Sequence, residues 1–375
     1  MPSRLPVRPE FAEAEPYGAP VAPVPVRLNV NENPYPVPPE VVSAIAAAAS
    51  KLNRYPDRDF LTLRGALAEY LGREADAPWL TANHIWAANG SNEVLLHVFQ
   101  AFAGPGRSAL SFAPTYSMYP ELARDTFTRW TTVPRRADFA LDMDAALDAI
   151  AREHPSVILV ASPNNPTGTA VHLADIEALA KATGGAQATA VIVVDEAYAE
   201  FRRAGSPSAV ELVAEYPHVA VARTMSKAFA FAGARLGYLA ARPELVEILR
   251  VVRLPYHLSA LTQAAALAAL THADALLANV AALRDGRDEL VEALRARTNP
   301  TTGRRLEVAD TDANFAYFGV FHDRRAVWRG LFDRGVLVRE VGPDGWLRVS
   351  AGTPGENAAF LTALDAILAT LEVQP

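Results

Sequence analysis

The 375-residue chain contains no cysteine. That excludes disulfides, thiolate nucleophiles and cysteine-ligated metals, and it fits a protein of a reducing, cytoplasmic compartment. Basic residues are outnumbered, 35 Lys and Arg against 42 Asp and Glu, leaving a formal net charge of −7. Binding to a phosphate backbone needs a basic face, so a nucleic-acid partner is not expected. A long uninterrupted apolar run is also missing. The nearest approach, Leu254–Ala273, carries Pro255, Ser259, Thr262, Gln263, Thr271 and two histidines. Those groups are costly in hydrocarbon, so the expectation is a helix buried between domains and no membrane span. The first twenty residues, MPSRLPVRPEFAEAEPYGAP, have no apolar stretch of the signal-peptide kind. No metal site is expected.

Half of the residues are apolar, enough to bury a large core, and the length suits one large domain with one smaller. Prolines at 2, 6, 9, 16, 20, 23 and 25 mark residues 1–30 as an extended arm, since each removes a donor and fixes φ. Pro38-Pro39 precedes a predicted helix over Glu40–Leu52. From Thr62 onward short apolar runs alternate with longer amphipathic stretches such as Leu173–Ala182. The runs are Ile85–Ala88, Ala109–Phe112, Val157–Ala161, Val191–Val194, Val219–Ala222 and Leu236–Ala240. This rhythm predicts an α/β fold, a mostly parallel sheet flanked by helices. After Pro255 the pattern turns helical through Arg297. Candidate strands follow at Ala313–Phe318, Val336–Arg339 and Trp346–Val349, and a last helix over Glu356–Leu371. We read residues 31–265 as the large domain, its first helix able to pack on the other, and 266–375 as a smaller α/β C-terminal domain.

In parallel sheets ligands sit beyond the carboxyl ends of the strands, and four segments lie there. Ser226-Lys227 follows the run from Val219. A lysine in such a place is ordinarily a solvated surface charge, but Met225, Ala228, Phe229, Ala230 and Phe231 around it suggest burial. A desolvated amine loses proton affinity and can attack an aldehyde. Asp195 ends the run from Val191; it either caps the next element or holds a ring nitrogen of a bound cofactor protonated. Tyr198 is expected one helical turn further on, on the same face. Ser162-Pro-Asn-Asn-Pro-Thr-Gly168 is turn chemistry in which two prolines stiffen Asn164 and Asn165. Asn89-Gly-Ser-Asn-Glu93 opens an apolar helical stretch, which is ordinary capping or an anion-binding helix N-terminus.

Together these segments resemble the fold-type-I, class-II aminotransferases that depend on pyridoxal 5'-phosphate, and among them the histidinol-phosphate aminotransferases. The resemblance runs from Leu28-Asn-Val-Asn-Glu-Asn-Pro-Tyr35 through Thr224-Met-Ser-Lys-Ala-Phe229 and Ala234-Arg-Leu-Gly-Tyr238 to Leu347-Arg-Val349. It implies that Lys227 forms the Schiff base, that Asp195 pairs with the pyridine nitrogen, and that Asn165 and Tyr198 touch the ring oxygen. Ser91, Asn92, Ser226 and Arg235 would hold the cofactor phosphate, and Tyr116 would stack on the ring. Tyr55 would reach the phosphate of a second subunit, which implies a homodimer. Arg339 and Arg348 would hold the substrate anion, and Tyr17, Asn31 and Tyr256 would line the substrate pocket. The expected substrates are histidinol phosphate, glutamate and 2-oxoglutarate.

Two departures stand out. Phe229-Ala230-Phe231 is bulkier than in many relatives, and Asn92 replaces an aspartate. An aromatic amino-acid aminotransferase, or a phosphothreonine-type decarboxylase on the same fold, would use the same lysine and aspartate. The aminotransferase-like part of a transcription regulator would require a DNA-binding domain, which the short arm and acidic chain do not offer.

Overall fold

The computed structural model describes residues 5–185, 187–299 and 302–370. Pro2 of the expected arm and Leu371 at the expected end of the last helix lie outside them. In chain order the strands are β1 Val26–Arg27, β2 Ile85–Ala88, β3 Ser108–Ala113, β4 Arg129–Pro134, β5 Val157–Ala161, β6 Val191–Asp195 and β7 Val219–Thr224. They continue with β8 Gly237–Ala240, β9 Glu307–Val308, β10 Phe315–Gly319, β11 Val336–Leu337, β12 Arg339–Glu340 and β13 Leu347–Ser350.

Seven strands form the main sheet in the order β2-β8-β7-β6-β5-β3-β4. Every pairing from β4 through β3, β5 and β6 to β7 is parallel, and β8 alone runs against its neighbours β2 and β7. Every residue of β5, β6 and β7 is buried, as expected of a sheet covered on both faces, where strands read as continuous apolar runs. The helices Ser91–Phe102, Met118–Asp125, Met143–Glu153 and Leu173–Thr183 lie between successive strands. Strand β4 is absent from the apolar runs of the sequence because it is the sheet edge. Arg129-Trp-Thr-Thr-Val-Pro134 buries only Val133, and an edge strand has one flank open to solvent.

A second sheet, β12-β13-β10-β9, is antiparallel throughout, and the helices Arg324–Asp333 and Pro354–Leu368 belong with it. Thr353 and Glu356 cap the last helix reciprocally, fixing its start. The 23-residue helix Ala273–Arg295 joins the two cores. Its Leu276, Val280 and Leu283 pack with the main sheet, and Leu290, Val291 and Leu294 with the second.

The proline-rich segment is not wholly a free arm. Once the prolines stop, Val26 and Leu28 have free N–H groups, which donate to Gly335 and Leu337 at 3.1 and 2.8 Å; β1 thus pairs in parallel with β11. The Arg8 guanidinium also lies 3.7 Å from the centre of the Phe127 ring. The first helix, Pro39–Ala49, packs on the helix Ala260–Thr271. Among the described residues no single helix is long and apolar enough to cross a membrane; Ala260–Thr271 and Ala273–Arg295 pass that test only as a pair bent by 76°.

Candidate active site

At the carboxyl ends of the parallel strands lies a cavity of about 270 Å³. The loops after β2, β3, β5, β6 and β7 supply Ser91, Asn92, Tyr116, Asn165, Asp195, Tyr198, Ser226 and Lys227 to it. Arg235 comes from the turn before β8, Arg339 and Arg348 from the second sheet, and Tyr17 and Asn31 from the N-terminal segment.

Lys227 stands in the bend after β7. Met225, Ala228, Phe229 and Phe231 around it are buried, and the bulky Phe229 is accommodated edge-on against Tyr70, ring centres 5.2 Å apart. The Lys227 Nζ donates to the Val30 carbonyl at 2.8 Å. Burial, with Arg348 nearby, pulls the amine down to about 8, so about a tenth is unprotonated and nucleophilic at pH 7, far more than of an ordinary lysine.

Asp195 ends β6 opposite Ala161 and Ala222. Its Oδ2 accepts the Tyr119 hydroxyl at 2.9 Å and its Oδ1 the Ala197 N–H at 3.2 Å. Burial pushes the carboxyl up to about 6, because two neutral donors do not replace the water or the cation that an ionised group prefers. The next residue, Glu196, turns away from the cavity, accepting from Arg223 Nε at 2.8 Å and the Ala209 N–H at 2.7 Å. No α-helix follows Asp195, contrary to the expectation for Tyr198. The chain makes a turn and then one 3₁₀ turn, Ala199–Phe201, because Asp195 bonds the N–H two residues on, which favours a turn over a helix. Tyr198 still reaches the cavity. Its hydroxyl accepts from Asn31 Nδ2 at 2.9 Å and Asn165 Nδ2 at 3.4 Å.

The segment Asn89–Asn92 opens the helix Ser91–Phe102 against β8. Gly90 has φ +86, and a Cβ there would come within 2.5 Å of Arg235 Nη2; a Cβ on Gly237 would lie 2.1 Å from the Ser91 nitrogen. Two missing side chains thus let a helix N-terminus, Ser226 and Arg235 converge, with Arg235 Nη1 3.5 Å from Ser226 Oγ. Unsatisfied N–H groups beside a guanidinium form an anion cradle. Tyr116, from the loop after β3, also lines the cavity and donates to Asn92 Oδ1 at 3.3 Å.

Arg339 and Arg348 are register partners in the antiparallel pair β12–β13, so their side chains share one face. Arg348 donates to Asn165 Oδ1 and to the Asn29 carbonyl at 2.7 Å, while Arg339 makes a 3.4 Å contact to the Gly18 carbonyl. Arg348 Nε and Arg339 Nη1 are buried without a partner among the described residues. Tyr17 shares a 3.0 Å hydrogen bond with Ser117, which lays the N-terminal segment across the cavity mouth.

Two expected site residues are elsewhere. Tyr55, 81 % exposed, stacks on the half-exposed Tyr256 with ring centres 4.6 Å apart, and neither lines the cavity of its own chain. Tyr256 has φ +58, and Val251 and Leu254 shortly before it in the chain are exposed as well. Conversely, Tyr119 touches Asp195 and was not anticipated. It lies three residues after Tyr116, whose carbonyl accepts its N–H at 3.2 Å in the turn that leads into the helix Met118–Asp125.

The aminotransferase class I and II model matches residues 23–364. A histidinol-phosphate aminotransferase of Thermobifida fusca is 57 % identical over 364 residues, covering 96 % of this chain and 95 % of that one. Histidinol-phosphate aminotransferase 3 of Burkholderia lata is 54 % identical, covering 98 % and 97 %. Among solved structures, a histidinol-phosphate aminotransferase of Sinorhizobium meliloti in complex with pyridoxal-5'-phosphate superposes with a TM-score of 0.84, at 25 % identity and 98 % coverage of both chains. The chain belongs to the aminotransferase class I and II family.

Proposed function

We propose that this chain is a histidinol-phosphate aminotransferase. It would move an amino group reversibly between glutamate/2-oxoglutarate and imidazole-acetol phosphate/histidinol phosphate, in the synthesis of histidine. The observation that carries the substrate assignment is the side-by-side pair Arg339–Arg348, opening on the same cavity as Lys227 and Asp195.

The donor set fits pyridoxal 5'-phosphate. Ser91, Asn92, Ser226 and Arg235 would hold its phosphate, and Tyr55 of a second copy would complete that cradle. Asp195, a buried carboxylate without a cationic partner among the described residues, would pair with the ring nitrogen. Tyr116 would cover one ring face, and Asn165 and Tyr198 would donate to the ring oxygen. Bound there, the cofactor supplies an aldehyde that takes up the amino group and an electron-poor ring that accepts the electron pair released at the substrate carbon.

The chain's own residues do the rest. Lys227 Nζ, free once the incoming amine has taken its place, would take the proton from the substrate carbon as base and give it up again as acid, the two ends of a 1,3-proton shift. Its lowered proton affinity suits both roles. Asp195 keeps the ring nitrogen protonated. Arg348 and Arg339 fix the anionic end, phosphate in one half-reaction and carboxylate in the other, each able to pair bidentately with either. Tyr17 and Asn31 shape the pocket and exclude water. Glutamate leaves as 2-oxoglutarate, and the same steps run backward on imidazole-acetol phosphate. Tyr256, stacked on Tyr55, would enter the partner's pocket beside it. The reading carries with it a homodimer, a cytoplasmic location, and division into residues 1–30, 31–265 and 266–375 with the helix Ala273–Arg295 as the bridge.

The test is a half-reaction panel on the loaded enzyme with histidinol phosphate, phenylalanine, tyrosine and phosphothreonine as donors, followed by cofactor absorbance and released carbon dioxide. Histidinol phosphate should aminate the cofactor fastest with no carbon dioxide. Preference for phenylalanine, or carbon dioxide from phosphothreonine, would overturn the assignment.

A further inference from the structure

The helix Met118–Asp125 carries Tyr119 into full burial between Tyr116 and Trp130, ring centres 5.5 and 6.4 Å away. The Tyr116 contact is edge-on, the planes 89° apart. Its hydroxyl donates to Asp195 Oδ2 at 2.9 Å. One side chain therefore braces both the aromatic that would cover the cofactor ring and the carboxylate that would meet its nitrogen.

We propose that Tyr119 is a positioning residue which, through its hydrogen bond to Asp195, keeps that carboxylate ionised and the cofactor's ring nitrogen protonated. The proposal rests on the reading of Asp195 as the ring-nitrogen partner. A phenol donates more strongly to a carboxylate than to a carboxylic acid, so the contact favours the ionised form. It works against two opposing influences, burial and the adjacent charge of Glu196. The other titratable groups near this point are Tyr116 and Tyr198, neutral phenols, and Arg135, which acts on Tyr119 and whose buried guanidinium donates to the Phe112 and Phe139 carbonyls. The Ala197 N–H is the second bond favouring the anion. If the Tyr119 hydroxyl is lost, Asp195 becomes a stronger base and draws the shared proton from the ring nitrogen. The ring then takes up electrons less readily, and the Lys227 nitrogen joined to it becomes more basic.

A buried tyrosine needs a partner for its hydroxyl in any case, so the test must separate tuning from packing. Tyr119→Phe, loaded with pyridoxal 5'-phosphate, should show its visible absorbance changing form at higher pH than the parent. Its kcat should fall about ten- to hundredfold, the size expected for one charge-assisted hydrogen bond. KM for glutamate should stay within about twofold, because Tyr119 does not face the anion site. In an Asp195→Asn background the same change should cost nothing further. Replacing Tyr119 site-specifically with 3-fluorotyrosine, a stronger donor of nearly the same shape, should move the absorbance midpoint the other way; this holds the question open to test even if Tyr119→Phe folds poorly. An unmoved midpoint in both variants, or an equal penalty with and without Asp195, overturns the proposal. A parent chain that takes up no pyridoxal 5'-phosphate would instead sink the underlying reading of the site.

Discussion

Arg339 and Arg348 face each other directly across β12 and β13, and neither makes an ion pair with a carboxylate among the described residues. Like charges opposite one another in a sheet are destabilising. An anion between them would offset the repulsion and engage the unpartnered Arg339 Nη1 and Arg348 Nε. Inorganic phosphate should therefore raise the melting temperature of the parent, and raise it less in Arg339→Ala or Arg348→Ala. Each variant should lose about 1.5–3 kcal/mol of transition-state binding for histidinol phosphate, a ten- to hundredfold drop in kcat/KM at about 1.4 kcal/mol per decade. Histidinol, lacking the phosphate, should be a poor substrate that is far less sensitive to either change. Equal losses on both substrates would remove these residues from phosphate reading.

Lys227 should become the point of covalent attachment. Borohydride reduction after loading with pyridoxal 5'-phosphate should label this lysine in a peptide map, and a label on Lys51 or Lys181 would refute the assignment. Because burial holds the amine near 8, the rate of cofactor uptake should rise with pH and level off above about 8. An ordinary lysine would still be climbing at the top of the measurable range. Lys227→Ala should bind the cofactor through the phosphate cradle yet lose turnover by orders of magnitude, since Lys227 is the only amine among the described residues that line the cavity.

Asp195 yields a prediction whose sign runs opposite in the free and loaded protein. Its folded value, about 6, lies above its ordinary value of 3.8. The folded form therefore holds the proton more tightly, a contribution to stability that is full below about pH 4 and lost as pH rises through about 6. Without cofactor, Asp195→Asn should melt above the parent at pH 7, and the gap should close near pH 4. With cofactor the order should reverse, because the ring cation then pairs with the carboxylate. Near-normal turnover in Asp195→Asn would take this residue out of the mechanism.

Tyr55 and Tyr256 stack outside their own cavity, on a surface where Val251 and Leu254 are also exposed. If Tyr55 completes the phosphate cradle of a second subunit, mixing Lys227→Ala with an impaired Tyr55→Ala should restore part of the activity. One of the two sites in each hybrid then has both residues intact. No recovery after demonstrated subunit exchange would count against a shared site.

The strands that carry the site were legible in the sequence, because a sheet covered on both faces demands continuous apolar runs. Val157–Ala161, Val191–Val194 and Val219–Ala222 satisfy that demand, and the last two strands run on past the apolar residues to Asp195 and Thr224. The loops beyond them followed, so the segments that hold Asn165, Asp195 and Lys227 could be singled out by position, while the roles of the individual residues came from the resemblance. Where burial is partial the pattern fails. Strand β4 is an edge, β1 is two residues that find a parallel partner more than 300 positions away, and neither has a periodicity of its own. Only the tertiary structure could place Arg339 opposite Arg348, since register is a relation between strands. It alone carried Asn31 to Tyr198 and Ser350 and the Tyr119 hydroxyl to Asp195. A sequence states which residues are apolar and where the chain turns; which polar groups meet is decided by packing, when burial obliges each to find a partner.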